Sequence, residues 1–200
     1  MITKSDFKLK EIPVTTPIFS TILEDHVELN KYLKETILEH REKYPQSNRS
    51  NVKCWHSAWN THEINPKFTG FANKILNIAT FLSKEYYNNE RPLWVQDFWA
   101  MIYEKGDNAV KHDHFPSTFA CCYYVDVDTE SSPVIFENDY SKSLTVQPKN
   151  GMLLIWGAAI KHMVLPTNGT RMAISVNIEI PPIFKEGFSR LELNNTQEIL

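Results

Sequence analysis

Residues 110–127 read Val110-Lys-His-Asp-His-Phe-Pro-Ser-Thr-Phe-Ala-Cys-Cys-Tyr-Tyr-Val-Asp-Val127. Two histidines one residue apart lead into a run of Thr, Phe, Tyr and Val, the residue types that suit a pleated, half-buried sheet. The same character extends to either side. Strands are predicted over 93–103, 118–127, 133–137, 143–147, 152–156, 162–165 and 171–180, with turns at Gly106, Asn150-Gly151, Gly157 and Asn168-Gly169. Before residue 90 the period changes. Asp25, a candidate N-cap, precedes Leu29, Leu33 and Ile37 spaced four apart; after Pro66, the stripe Phe71, Ile75, Ile78, Leu82 and Tyr86 forms a second amphipathic helix. Between them, residues 44–65 are polar and turn-rich, with Trp55 and Trp59 embedded. Helices followed by short antiparallel strands read as an α+β chain: a sandwich, jelly roll or barrel with the helices packed on one sheet.

Length and charge narrow the function. With 200 residues the expectation is one domain with a real core. Lys and Arg number 21 against 24 Asp and Glu, a net charge of -3, so no cationic surplus marks a general nucleic-acid binder. No apolar run approaches the roughly 18–20 residues of a membrane span; the longest lies near residues 151–160. No apolar segment follows the first lysines, so no secretory signal is expected. The three cysteines are an odd count, and Cys121 and Cys122 would point to opposite faces of a strand. A disulfide framework is not expected, and a reducing cytoplasm fits. Without a Cys-x-x-Cys pair, a thiolate zinc site is not expected either.

Chemistry concentrates in the histidines. Of the seven, His26 and His40 read as solvated groups on the first helix, and His56 and His62 as polar packing in the Trp-containing loop. His112 and His114 are different. On a strand, residues two apart project to one side, so both rings can converge, with His162 supplying a third imidazole from another strand. Three imidazoles with open positions describe a catalytic site for Fe, Zn, Cu or Ni. A His-x-His alone would more simply cap a strand end. Arg171, at the head of an apolar strand, shifts that balance, because a buried guanidinium needs an anion and suits a carboxylate. Tyr124 on the strand 119–125 could reach the same carboxylate; alone it would be a core aromatic. Trp94, Trp99 and Trp156 could wall such a pocket, although core packing is the expected role for at least two of them.

The stretch from Tyr103 to Ile180 resembles the catalytic core of the Fe(II)/2-oxoglutarate-dependent dioxygenases, within them the prolyl-hydroxylase branch. The matching words are Tyr103-Glu-Lys-Gly, His112-Asp-His, Cys121-Cys-Tyr-Tyr-Val, Pro133-Val-Ile-Phe, Pro148-Lys-Asn-Gly-Met-Leu-Leu-Ile-Trp156, His162-Met-Val-Leu-Pro166 and Arg171-Met-Ala-Ile-Ser175. Ser50-Asn-Val-Lys-Cys-Trp-His-Ser57 and the helix after it resemble small bacterial and phage 2-oxoglutarate oxygenases that also carry His-x-His. The resemblance implies a cupin-like jelly roll, the double-stranded β-helix. It divides the chain into a helical support region (1–90), the β-helix core (91–182) and a C-terminal tail (183–200). It implies Fe(II) held by His112, His114 and His162, with 2-oxoglutarate as cosubstrate. Arg171 would bind the cosubstrate's C5 carboxylate, helped by Tyr124, with Tyr103 and Ser175 lining the pocket and Asn177 a weaker lining candidate.

The implied reaction hydroxylates a C–H bond of a small-molecule or peptidyl substrate and releases succinate and CO2. The chain departs from the family at position 114, where a carboxylate is usual. Asp113 could ligate instead if the strand ends at His112, but two-residue alternation favours His114; Glu137 and Asp139 are remoter options. Two rivals stay open. A cupin-type metalloenzyme would carry a Glu a few residues past the His pair, where Thr118 and Phe119 stand, and gives no reason for Arg171. A non-catalytic jelly roll would bind neither iron nor 2-oxoglutarate. The abundance of Asn, Lys and Ile suggests an AT-rich bacterial or phage genome.

Overall fold

Two-residue alternation in the C-terminal half builds a double-sided wall. The structure, a computed structural model, describes residues 16–46, 51–137 and 143–181. The first residues, Asp139 and the tail 183–200 lie outside that range.

Along the chain come β1 (Ile18–Ile22), α1 (His26–Lys43), β2 (Val52–Lys53), β3 (Trp55–His56), α2 (Thr61–Ile64) and α3 (Thr69–Tyr87). Then follow β4 (Trp94–Tyr103), β5 (Asn108–His112), β6 (Phe119–Val127), β7 (Val134–Phe136), β8 (Leu144–Val146), β9 (Met152–Gly157), β10 (His162–Val164) and β11 (Arg171–Glu179). They form a six-stranded sheet in the order β1-β9-β6-β11-β4-β3 and a five-stranded sheet in the order β2-β5-β10-β7-β8. All pairings between these strands are antiparallel. With the helices on the larger sheet, this is the expected α+β jelly roll, a double-stranded β-helix.

The long central strands β4, β6 and β11 are buried on both faces. Phe98, Ala100, Cys121, Tyr123, Ile174, Val176 and Ile178 join Leu33, Ile37, Phe71, Ile75 and Leu82 in a core between sheet and helices. The alternate residues Trp99, Met101, Tyr103, Ala120, Tyr124 and Ala173 meet Phe136 and Val164 of the smaller sheet in a second core. Burying one Leu or Ile removes enough apolar surface from water to contribute about 1.5–3 kcal/mol. The first core therefore holds the helices firmly. Tyr123 Oη donating to Asn30 Oδ1 (2.6 Å) and Lys34 paired with Asp126 (2.6 Å) tie α1 to β6 as well.

Three local expectations need correction. Asp25 precedes α1 but makes no capping hydrogen bond; its carboxylate pairs with Lys74 of α3 instead. His40 is not solvated: it is buried against Tyr44, Trp55 and Phe68, at the point where α1 meets the sheet. Residues 44–65 are not only loop, since β2, β3 and α2 form there. These strands are two residues long, too short for any periodicity to show. The Asn150-Gly151 turn stands as expected. Gly151 has φ +79°, and a Cβ there would come within 2.4 Å of His26, so only glycine fits this turn before β9.

Candidate metal and cosubstrate site

His112 and His162 face each other directly across the β5–β10 ladder, so one strand pairing fixes two of the three rings. The third ring arrives differently from the expectation. β5 ends at His112, and the backbone then leaves the sheet. The His114 N–H donates to Ala158 O at 2.8 Å, and Asp113 Oδ1 accepts from the Phe115 N–H at 3.2 Å. The turn, not strand alternation, brings His114 in. The same turn engages the Asp113 carboxylate, and Asp113 is not among the clustered donors. Glu137 pairs with Lys111 (3.1 Å) and is not in the cluster either.

The three rings stand 4.3–5.2 Å apart between centroids, and one donor nitrogen from each lies within 4.8 Å of the others. His112 Nδ1 bonds Val110 O (2.7 Å) and His162 Nδ1 bonds Ile160 O (3.2 Å). A carbonyl accepts only, so each Nδ1 carries the hydrogen and each Nε2 is left as a lone pair facing the cluster. His114 Nε2 and His162 Nε2 are 3.3 Å apart. Two ligands at about 2.1 Å from one metal and at right angles would be about 3 Å apart. Burial, reinforced by the neighbouring His112, lowers His114 to about 4 and His162 to about 3. Both are neutral at pH 7, the form that ligates a metal.

Against the histidines, between the two sheets, lies an inner cavity. Arg171, Tyr103, Tyr124, Ser175, Trp99 and Trp156 line it. Arg171 is 3% exposed. One nitrogen donates to Ser132 O (3.2 Å), its guanidinium lies 4.2 Å over the Tyr103 ring, and Nε has no partner. Among the described residues no carboxylate pairs with it. Burial pushes the Tyr103 and Tyr124 phenols up, so both remain hydrogen donors at neutral pH. A buried cation with an orphaned N–H and two phenol donors around one cavity is a receptor for an anion. The donor set therefore fits 2-oxoglutarate at its carboxylate end and a divalent metal at the imidazoles.

On the other side of the histidines an outer basin, with about 900 Å³ of empty space, opens to solvent. Trp99, His112 and His114 belong to both spaces. His56, Trp59, Phe115 and the carboxylates Asp97, Asp113 and Glu179 line the basin, and among the described residues no Lys or Arg does. Asn177 faces this basin rather than the inner cavity, unlike Ser175 two residues earlier. Of the three tryptophans, Trp99 and Trp156 are packed in the second core, as expected of at least two, and also wall the inner cavity; Trp94 lines neither space. His56 carried no signal in the sequence beyond its place beside Trp55. It is fully buried, stacked on Trp99 (centroids 5.7 Å, 15°) and packed on Trp59.

No protein-family model and no curated protein sequence matches the chain. Solved structures do. A prolyl-4-hydroxylase from Pseudomonas putida aligns with TM-score 0.68 at 10% identity, over 84% of this chain and 95% of that one. The non-heme α-ketoglutarate-dependent carbocyclase SnoK from nogalamycin biosynthesis aligns with TM-score 0.66 at 14% identity, over 90% and 86%. A Trichoplax adhaerens prolyl hydroxylase, solved with a hypoxia-inducible-factor peptide fragment, aligns with TM-score 0.64 at 12% identity, over 80% and 83%. The chain thus has the fold of the 2-oxoglutarate- and Fe(II)-dependent oxygenases, and its three clustered histidines could hold a metal.

Proposed function

We propose that this single-domain chain is an Fe(II)- and 2-oxoglutarate-dependent dioxygenase that hydroxylates a C–H bond of a small-molecule or peptidyl substrate, releasing succinate and CO2. His112, His114 and His162 hold the iron through Nε2. Arg171 takes the C5 carboxylate of 2-oxoglutarate, Tyr124 donates to it, Tyr103 supports the guanidinium with its ring face, and Ser175 lines the pocket. The bound metal would supply the redox chemistry that couples decarboxylation of the keto acid to C–H oxidation. The chain's own residues orient the keto acid, keep the imidazoles neutral and screen the inner cavity from water with Trp99 and Trp156. The substrate would occupy the outer basin, the one space that reaches both solvent and the histidines.

Arg171 carries this reading: beside three convergent imidazoles, its buried guanidinium has a backbone acceptor and an aromatic face but, among the described residues, no carboxylate, and a ligand carboxylate would complete it. The similar structures include hydroxylases and a carbocyclase, so hydroxylation is the proposed outcome within a broader oxidative class. The test is anaerobic titration with Fe(II) and then 2-oxoglutarate, following the weak visible charge-transfer band of a chelated keto acid. The band should form in the wild type and fail in Arg171→Ala and His114→Ala. A protein that takes up zinc or nothing, and shows no band, overturns the proposal in favour of a cupin-type or non-catalytic jelly roll.

A further inference from the structure

A metal-ligating imidazole needs its second ring nitrogen held, because the hydrogen on that nitrogen decides which lone pair is free. His112 and His162 meet this need with backbone carbonyls at Nδ1. His114 forms no such bond to the backbone among the described residues, because it sits on the turn after β5. Its Nε2 points at His162 Nε2. With a metal on both nitrogens neither can keep a hydrogen, so His114 must carry its hydrogen on Nδ1 and requires an acceptor there.

The fold supplies one. Asn177 is nine-tenths buried on β11 and lines the basin together with His114. Its register partner across the β11–β4 ladder is Asp97, and its Nδ2 donates to Asp97 Oδ2 at 2.8 Å. That bond settles which end of the amide is which: the nitrogen faces Asp97 and the oxygen is the free end. Asn177 Oδ1 is buried and has no closed hydrogen bond, a costly state for an acceptor unless a donor reaches it. Its influence on His114 opposes the lowering caused by burial, the sign expected of an oxygen facing the imidazole. Trp99, stacked on the His114 ring (5.9 Å, 28°), limits the ring's tilt.

We propose that Asn177 is a positioning residue for the metal centre: its Oδ1 accepts the Nδ1 hydrogen of His114, which frees Nε2 to ligate, and Asp97 locks the amide in that orientation. This rests on the reading that the three histidines hold a metal. It assigns Asn177 to the imidazole support rather than to the cosubstrate pocket. It also explains how a neutral ligand works where a carboxylate is usual: the negative charge stands two hydrogen bonds away, on Asp97.

The test is equilibrium binding of Co(II), a spectroscopic stand-in for Fe(II), with no turnover required. Asn177→Leu keeps the side-chain volume and removes the acceptor, and should weaken Co(II) by about 10–100-fold. The double variant Asp97→Asn with Asn177→Asp restores a hydrogen-bonded pair with an acceptor toward His114, and should recover most of that loss. Gln96→Leu, on the same basin rim, should change nothing. Nitrogen-15 NMR of the Zn(II)-loaded wild type needs no variant and should place the His114 hydrogen on Nδ1. Affinity unchanged in a folded Asn177→Leu, or ligation of His114 through Nδ1, overturns this inference alone. A wild type that takes up no Co(II) or Zn(II) overturns it together with the metal-centre reading.

Discussion

The inner cavity and the outer basin share Trp99, His112 and His114 as a party wall, yet they are built on opposite terms. The inner space offers one buried guanidinium and two phenols, all on strands β4, β6 and β11 of the larger sheet. The outer space offers three carboxylates, no Lys or Arg among the described residues, and aromatic rings that reach solvent, with Trp59 42% and Phe115 76% exposed. Several of its residues stand on turns or strand ends. A ligand site on mutually paired strands is held to one geometry, whereas a loop-built site tolerates change. On the proposed function, the division would separate the seating of a dianion and a metal from the choice of a substrate.

The most severe way to break this arrangement is to remove the histidine that stands behind the party wall, in the inner cavity alone. His162→Ala takes away the ring that pairs with both His112 and His114, and should lower metal affinity by more than about 1,000-fold, since two imidazoles form no closed site. Equilibrium dialysis against Co(II) measures it. Next comes Arg171→Met, which keeps most of the side chain's volume and removes its charge. Loss of a buried charged partner costs about 2–5 kcal/mol of binding, so 2-oxoglutarate affinity should fall by about 30-fold or more while metal affinity stays within about threefold. The same variant should melt at a higher temperature than the wild type when no keto acid is present. It no longer buries an unpaired cation. A drop in melting temperature would mean that Arg171 is part of the framework rather than of the ligand site.

How much of this was legible in the sequence follows from the range of the interactions. The seven strands predicted after residue 90 are all present; six of them bury at least one face, and β8, largely exposed, is marked by its Thr and Val alone. Arg171 and Tyr124 were legible as polar groups on apolar strands, whereas Tyr103 and Ser175 were implied only by the family resemblance; all four line the inner cavity. β2 and β3 escaped because two residues carry no period. His40 and His56 escaped because a histidine is ordinarily exposed, and only tertiary packing against Trp55 and Trp99 buries them. His114 was singled out on an incorrect premise. The strand stops at His112, and a turn stabilised by Asp113 completes the convergence. The bond between Asn177 and Asp97 joins residues 80 positions apart, and no spacing rule reaches that far.

The clustered histidines make the comparison sensitive to pH. His114 and His162 are held to about 4 and 3, and burial lowers His40, His56 and His62 in the same direction. In each case the unfolded chain binds a proton at a higher pH than the folded one, near 6.5. Stability from this source is complete above about pH 6.5 and is lost as pH falls from there toward 4. At about 1.4 kcal/mol per unit the loss should amount to several kcal/mol. Urea unfolding at pH 7.5, 6 and 5 should show the midpoint falling with a nearly constant slope. A midpoint flat across that range would show that the rings take up protons equally in the folded and unfolded chain, so that burial does not hold them neutral.

The gentlest intervention sharpens the comparison most. Phe115 stands on the basin rim, three-quarters exposed, one residue beyond His114. Truncating such a side chain removes little buried surface, so Phe115→Ala should alter stability by no more than about 0.5 kcal/mol. The backbone bonds at 114, 115 and 117 that shape the turn do not involve its ring. Metal and 2-oxoglutarate affinities should therefore stay within about twofold of the wild type, measured by the same Co(II) and charge-transfer titrations. If either constant moves by tenfold, the basin and the inner cavity form one coupled site, and the loop that frames the substrate also sets the metal. If neither moves, the two spaces are separable, and the rim can change its substrate without disturbing the chemistry behind it.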